Sequence, residues 1–198
     1  MAIQSVSEDT NPEIACTIEV HGVKTNYHDL GSGKPLFLIH GSGPGVSAWA
    51  NWRLAMPNFS EVARVIAPDM LGFGYSERPG KDYYNMESWL DQVVGLMDAL
   101  DIERTDLVGN SFGGAISLAM AIRHPDRVRR IVLMGSAGLA LGLSEGLDQV
   151  WGYSPSIENM RRLLDIFAYD RSLVTVSFAE LLFKASIRPS FQESFSAM

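Results

Sequence analysis

Gly109-Asn110-Ser111-Phe112-Gly113 joins a short apolar strand, predicted over 105–108, to a helix of small residues predicted over 112–123. A G-x-S-x-G pattern says little by itself in a chain rich in glycine and serine. Its position between a strand and a helix is what makes it informative. A turn this sharp strains the backbone of its central residue and brings strand and helix so close that glycine is needed two residues to either side. Ser111 is therefore predicted to stand exposed at a helix N-terminus, where the helix dipole and the Phe112 amide favour an oxyanion. It is the candidate nucleophile, with simple capping of the helix as the competing role.

The same alternation continues outward from this turn. Leu36-Phe37-Leu38-Ile39 reads as a strand buried on both faces and runs directly into His40-Gly41-Ser42-Gly43-Pro44-Gly45. A helix is predicted over 47–58, a strand over 64–67, a helix over 87–100 and a strand over 128–134, with two earlier strands at 14–20 and 23–30. Strand and helix in alternation predict an α/β fold with a mostly parallel sheet and helices on both faces. After residue 138 only helical spacing remains, as in Met160, Leu163, Leu164 and Phe167. The expected organisation is an α/β core over 1–138, whose first thirteen residues form a flexible tail without chemistry of its own, and a helical segment over 139–198.

Other motifs are set aside on physical grounds. The glycine turn at 41–45 has G-x-G-x-G spacing with a proline inside it, and Asp69 falls later than the roughly twenty residues a dinucleotide fingerprint requires. Asp69, in Pro68-Asp69-Met70-Leu71-Gly72-Phe73-Gly74, is read as a carboxylate that structures its own loop by accepting amide hydrogens. His40 is expected to brace its turn rather than act as a base. His21, His28 and His124 are expected to be structural or surface residues, because none has the spacing of a metal ligand or a Ser–Asp set beside it.

The 198 residues carry 16 basic and 23 acidic side chains for a net charge of −7, and no basic run marks a nucleic-acid footprint. Cys16 is the single cysteine, so neither an intrachain disulfide nor a cysteine-rich zinc pattern is available. The N-terminal stretch has no basic and apolar regions of the secretory kind, and no apolar run is long enough to span a bilayer. A cytoplasmic protein is expected, with no metal, cofactor, nucleic acid or membrane partner.

The order strand, HGSGPG, helix, strand, PDMLGFGYS, helix, strand, GNSFGG resembles the α/β-hydrolase superfamily over residues 20–138. Within it, His40–Gly45, Ser47-Ala-Trp-Ala-Asn-Trp52, Gly109–Gly114 and Trp151-Gly-Tyr-Ser-Pro-Ser-Ile-Glu-Asn-Met160 resemble the meta-cleavage product hydrolases, above all those acting on 2-hydroxymuconic semialdehyde and its relatives. The resemblance implies hydrolysis of a carbon–carbon bond in a 2-hydroxy-6-oxo-2,4-dienoate, with Ser111 as nucleophile and the amides of Ser42 and Phe112 as oxyanion donors. It also implies Asn51 and Asn110 at the dienoate end, Trp151 and Phe167 toward the acyl side, residues from 139 onward as a cap, and a homodimer for the full-length form. Two departures stand out. Leu182, before the cap aromatic Phe183, occupies a position where the family commonly has arginine, leaving Arg188, Arg161 or Arg162 as possible replacements. The family's triad Asp and His follow the serine after later strands, and this chain ends before them, which implies a C-terminally truncated hydrolase, inactive alone. An ester hydrolase of the same fold and a non-catalytic binding protein are the alternatives.

Overall fold

The computed structural model describes residues 11–138 and 144–198. Among the described residues six strands form one sheet: β1 (Cys16–Val20), β2 (Val23–Leu30), β3 (Pro35–Ile39), β4 (Arg64–Pro68), β5 (Thr105–Asn110) and β6 (Val128–Met134). Their order is β1-β2-β4-β3-β5-β6. The pairs β1–β2 and β2–β4 are antiparallel, whereas β4–β3, β3–β5 and β5–β6 are parallel. The expected mostly parallel α/β sheet is present.

Alternation along the central strands explains why they read as unbroken apolar runs. Phe37, Ile39, Ile66 and Leu107 point into one core layer, and Leu38, Val65, Ala67 and Val108 into the other. Each face is then covered by helices. The first layer takes α3 (Met86–Ala99) through Leu90, Val93, Leu96 and Met97, and α4 (Phe112–Arg123) through Ile116 and Met120. The second layer takes α1 (Ala48–Trp52) and α2 (Met56–Ser60) through Ala48, Trp52 and Met56.

The single helix expected over 47–58 is in fact these two short helices. Pro57 has no N–H to donate, and its ring would clash with the carbonyl of Arg53 four residues back. The chain therefore turns at Arg53–Ala55 and restarts with proline in the first turn of α2, where no intrahelical donor is lost.

A second correction concerns the N-terminal tail. Residues 1–10 lie outside the described residues, but Asn11–Glu13 belong to the fold: Glu13 is only 2% exposed, and Ile14 N–H bonds the Asn11 carbonyl. Nothing local in the tail signals this burial, because it depends on partners far along the chain.

Beyond the sheet come α5 (Glu145–Trp151), α6 (Ile157–Phe167), α7 (Val176–Ser186) and α8 (Phe191–Ser196), with residues 139–143, where the boundary was expected, outside the described residues. Ser144, Ser156 and Thr175 cap α5, α6 and α7 by accepting the amide hydrogens of Leu147, Asn159 and Phe178. Val150, Met160, Leu163, Leu182, Phe191 and Phe195 join the first core layer, and the Tyr84 hydroxyl donates to Ser194 Oγ at 2.8 Å.

Candidate active site

Ser111 adopts φ 52° and ψ −113°, a left-handed conformation that costs a non-glycine residue about 1–3 kcal/mol. The surroundings hold it there. Its N–H bonds the Met134 carbonyl at 2.9 Å, and its carbonyl accepts from Gly114 and Ala137, both at 2.9 Å. A Cβ on Gly109 would strike the Gly113 carbonyl, and one on Gly113 would strike the carbonyls of Ile39 and His40. Although Ser111 occupies the N-cap position of α4, its side chain makes no capping hydrogen bond. The hydroxyl is left free to face the space in front of the helix, which answers the competing reading as a cap.

That space is a cavity of about 340 Å³. Its polar end is formed by Gly41, Ser42, Asn51, Asn110 and Ser111, and its apolar end by Leu147, Val150, Trp151, Met160, Leu163, Leu164, Phe167 and Leu182. Ser42, Asn51, Asn110 and Trp151, singled out from sequence, thus border one cavity with Ser111. The Phe112 side chain instead turns into the core, with ring centroids 4.7 Å from Trp89 and 5.9 Å from Phe73. This anchors the helix start, whose first backbone N–H has no acceptor within the helix.

The polar end is fixed by side-chain amides. Asn51 Oδ1 accepts from Gly41 N–H at 3.0 Å and from Asn110 Nδ2 at 3.0 Å. Behind the turn, His40 is fully buried, Met70 N–H donates to its Nε2 at 2.9 Å, and its Nδ1 lies 2.7 Å from the Gly41 carbonyl. An Nε2 that accepts requires the proton on Nδ1, so the ring is neutral and donates to Gly41. Both nitrogens are committed to backbone, as expected of a brace and not a base. Burial pushes the His40 pKa below the ordinary value, and the same cause lowers that of His28. For a histidine depressed in the folded state, the unfolded chain binds the proton first, so stability is lost as pH falls below about 6.5. We expect the urea midpoint to drop between pH 7.5 and 5, and His40→Gln to flatten that drop.

The remaining histidines are not placed to serve Ser111. His124 caps the far end of α4, about 18 Å along a twelve-residue helix. His21 sits in the β1–β2 turn against Gly95 of α3. Asp69 is fully buried and accepts from Asn26 Nδ2 at 2.8 Å, Ala48 N–H at 2.6 Å and Tyr75 N–H at 2.7 Å, which is the loop-structuring role expected of it.

None of the three arginines suggested as replacements at Leu182 borders the cavity. Arg188 donates to the Gly74 carbonyl at 2.8 Å and stacks 3.6 Å from the Tyr75 ring, Arg162 pairs with Glu158 in solvent, and Arg161 is exposed. Backbone carbonyl and aromatic face satisfy Arg188 outside the cavity. Among the described residues no charged side chain lines it, and Leu182, 5% exposed, extends its apolar wall. Sequence reasoning missed Glu13, and it missed Gln92, which bonds Thr25, Leu71 and Asp69 from α3. A glutamine among the apolar residues of a helix face was the available signal for the latter.

A protein-family model described as alpha/beta hydrolase fold matches residues 34–198. The chain is 65% identical over 188 residues to a 2-hydroxymuconate semialdehyde hydrolase of Pseudomonas sp. (strain CF600), covering 95% of this chain and 66% of that protein. It is 58% identical over 190 residues to a 2-hydroxy-6-oxo-2,4-heptadienoate hydrolase of Pseudomonas putida F1, covering 96% and 69%. A solved meta-cleavage product hydrolase, CumD from Pseudomonas fluorescens IP01, superposes with a TM-score of 0.91 at 60% identity, over 95% of this chain and 69% of that one. The chain spans about two thirds of the length of these relatives.

Proposed function

We propose that this chain, which belongs to the alpha/beta hydrolase fold family on its meta-cleavage product hydrolase branch, carries the nucleophile and substrate cavity of a serine hydrolase that cleaves 2-hydroxy-6-oxo-2,4-dienoates. The observation that carries the reading is Ser111 itself: a serine in a strained left-handed turn, free of any capping bond, opening on a cavity with one polar and one apolar end. In this reading Ser111 Oγ attacks the C6 carbonyl of the keto form, and the amides of Ser42 and Phe112 hold the resulting oxyanion. The side-chain amides of Asn51 and Asn110 meet the dienoate end, while Trp151, Leu163 and Phe167 receive the acyl side, with the helices from residue 144 onward acting as a cap. The proton from Oγ needs a base, and we assign that base to the part of the relatives that lies beyond the matched length.

One observation favours a second reading, an ester hydrolase of the same fold. Among the described residues no charged group lines the cavity, so a carboxylate seated there meets only neutral donors from them. The test is turnover of a 2-hydroxy-6-oxo-2,4-dienoate against a simple aryl ester, using the chain extended with the C-terminal third of a relative. We expect the dienoate to be preferred, and turnover of the ester alone would overturn the proposal. Leu182→Arg, which puts a cation on the cavity wall, should tighten dienoate binding about tenfold, followed by Trp151 fluorescence, and should leave the ester unaffected.

A further inference from the structure

We infer that Glu13 is a positioning residue of the candidate site: its carboxylate fixes Ser47, and through Ser47 the short helix that presents Asn51 to the Gly41 amide and to Asn110. The inference rests on the reading of Ser111 as a nucleophile served by the glycine turn at 41–45.

Glu13 is 2% exposed, and carboxylates are almost never buried without a partner. Its partner is the Ser47 hydroxyl, which donates to Glu13 Oε2 at 2.6 Å. The same hydroxyl accepts from Ala50 N–H at 3.0 Å as the cap of α1, and the Ser47 carbonyl accepts from Asn51 N–H at 3.0 Å. The hydroxyl has one proton, and Glu13 takes it. The cap is thereby held in one rotamer, with its lone pair aimed at the helix. Four residues on, Asn51 Oδ1 receives both Gly41 N–H and Asn110 Nδ2 beside Ser111. The path from Glu13 to the glycine turn is thus two hydrogen bonds and one turn of α1.

Glu13 is itself anchored from behind. Its N–H bonds Asn11 Oδ1 at 3.0 Å, its carbonyl accepts from Asn26 Nδ2 at 2.8 Å, and Asn11 Nδ2 reaches the Tyr75 hydroxyl. Burial raises the Glu13 pKa, with the Ser47 bond opposing, Asp69 adding to the rise, and Arg188 from the helical segment and Arg53 from the end of α1 opposing it. As a buried charge, Glu13 therefore works against stability at neutral pH, whereas as an acceptor for Ser47 it has a use that a neutral amide oxygen can also fill.

Amide hydrogen exchange on the 198-residue chain tests this without requiring turnover. In Glu13→Ala, exchange at Gly41, Ala50 and Asn51 should accelerate about tenfold, the size of a lost N-cap bond, while Leu107 and Val108 in β5 keep their rates. Glu13→Gln, which retains an acceptor for Ser47, should restore the slow rates. Equal acceleration at all five amides would reduce Glu13 to a general stabiliser, and unchanged exchange at Gly41 would break the proposed link; either result overturns the inference. Should Glu13→Ala fail to fold, Ser47→Ala removes the same bond from the other side and is held to the same pattern. Because the readout is structural, its failure leaves the assignment of Ser111 standing, and loss of that assignment leaves these rates as they are.

Discussion

Ser111→Ala, in a chain extended by the C-terminal third of a meta-cleavage product hydrolase, should lower dienoate turnover by about 10⁴-fold or more while binding of the dienoate changes little. The two parts of this expectation have different origins. The loss follows from the covalent step in the proposed reaction: Oγ bonds to C6 and gives its proton to the base, the C5–C6 bond breaks with its electron pair passing through C4 and C3 to the C2 oxygen, which takes up the proton to give a 2-hydroxy-2,4-dienoate, and water then releases the acyl group from Oγ as a carboxylic acid. Without Oγ this route is closed, and only the oxyanion donors and the positioning amides remain. Retention of binding follows from the cavity, where Ser111 is one lining group among Asn51, Asn110, Trp151 and the apolar wall. The fold should also tolerate the change, because alanine and serine share the same steric cost at φ 52° and the side chain makes no cap bond to lose. Steady-state kinetics and a fluorescence titration separate the effects. Turnover by the alanine variant within about tenfold of the parent would remove Ser111 from the chemistry.

The strained turn at Ser111 was legible because its cause is local. A strand, a tight turn and a helix lie within residues 105–123, and the glycine at 109 is dictated by the Gly113 carbonyl of the same unit, while the one at 113 meets the carbonyls of Ile39 and His40 at the end of the neighbouring strand. The central strands were legible for the same reason, since burial on both faces leaves an apolar run that needs no partner to be recognised. What could not be read is held by pairs distant in sequence. Glu13 is buried by Ser47, thirty-four residues on, and by Asn26, thirteen on, so nothing in Asn11-Pro12-Glu13 distinguishes it from a solvated tail. Arg188 likewise finds the Gly74 carbonyl from 114 residues away, and no pattern around it indicates that its charge is spent outside the cavity. The break between α1 and α2 is a different case: Pro57 announces it, and its missing N–H outweighs the apolar spacing on either side.

Asp69→Ala should destabilise the fold by about 3–5 kcal/mol, read as a fall in the urea midpoint at constant m-value. The carboxylate is fully buried, and its two oxygens take three N–H groups: Ala48 at the start of α1, Tyr75 in the following loop and the side chain of Asn26 on β2. Alanine leaves all three donors buried without an acceptor, at about 1–3 kcal/mol each before relaxation. Asp69→Asn separates this role from a catalytic one. An amide offers one oxygen and turns an NH₂ toward groups that are themselves donors, so it repairs part of the network and opposes the rest. A structural Asp69 therefore predicts a substantial midpoint loss in the asparagine variant too, together with faster exchange at Ala48 and Tyr75. A catalytic acid at this position predicts the reverse, a stable asparagine variant that has lost turnover alone. The strand-end carboxylate of a hydrolase sheet invites that second interpretation, and the three donors around Asp69 argue against it, because the amides of Ala48 and Tyr75 and the side chain of Asn26 take three of its about four acceptor sites and hold it to its own loop.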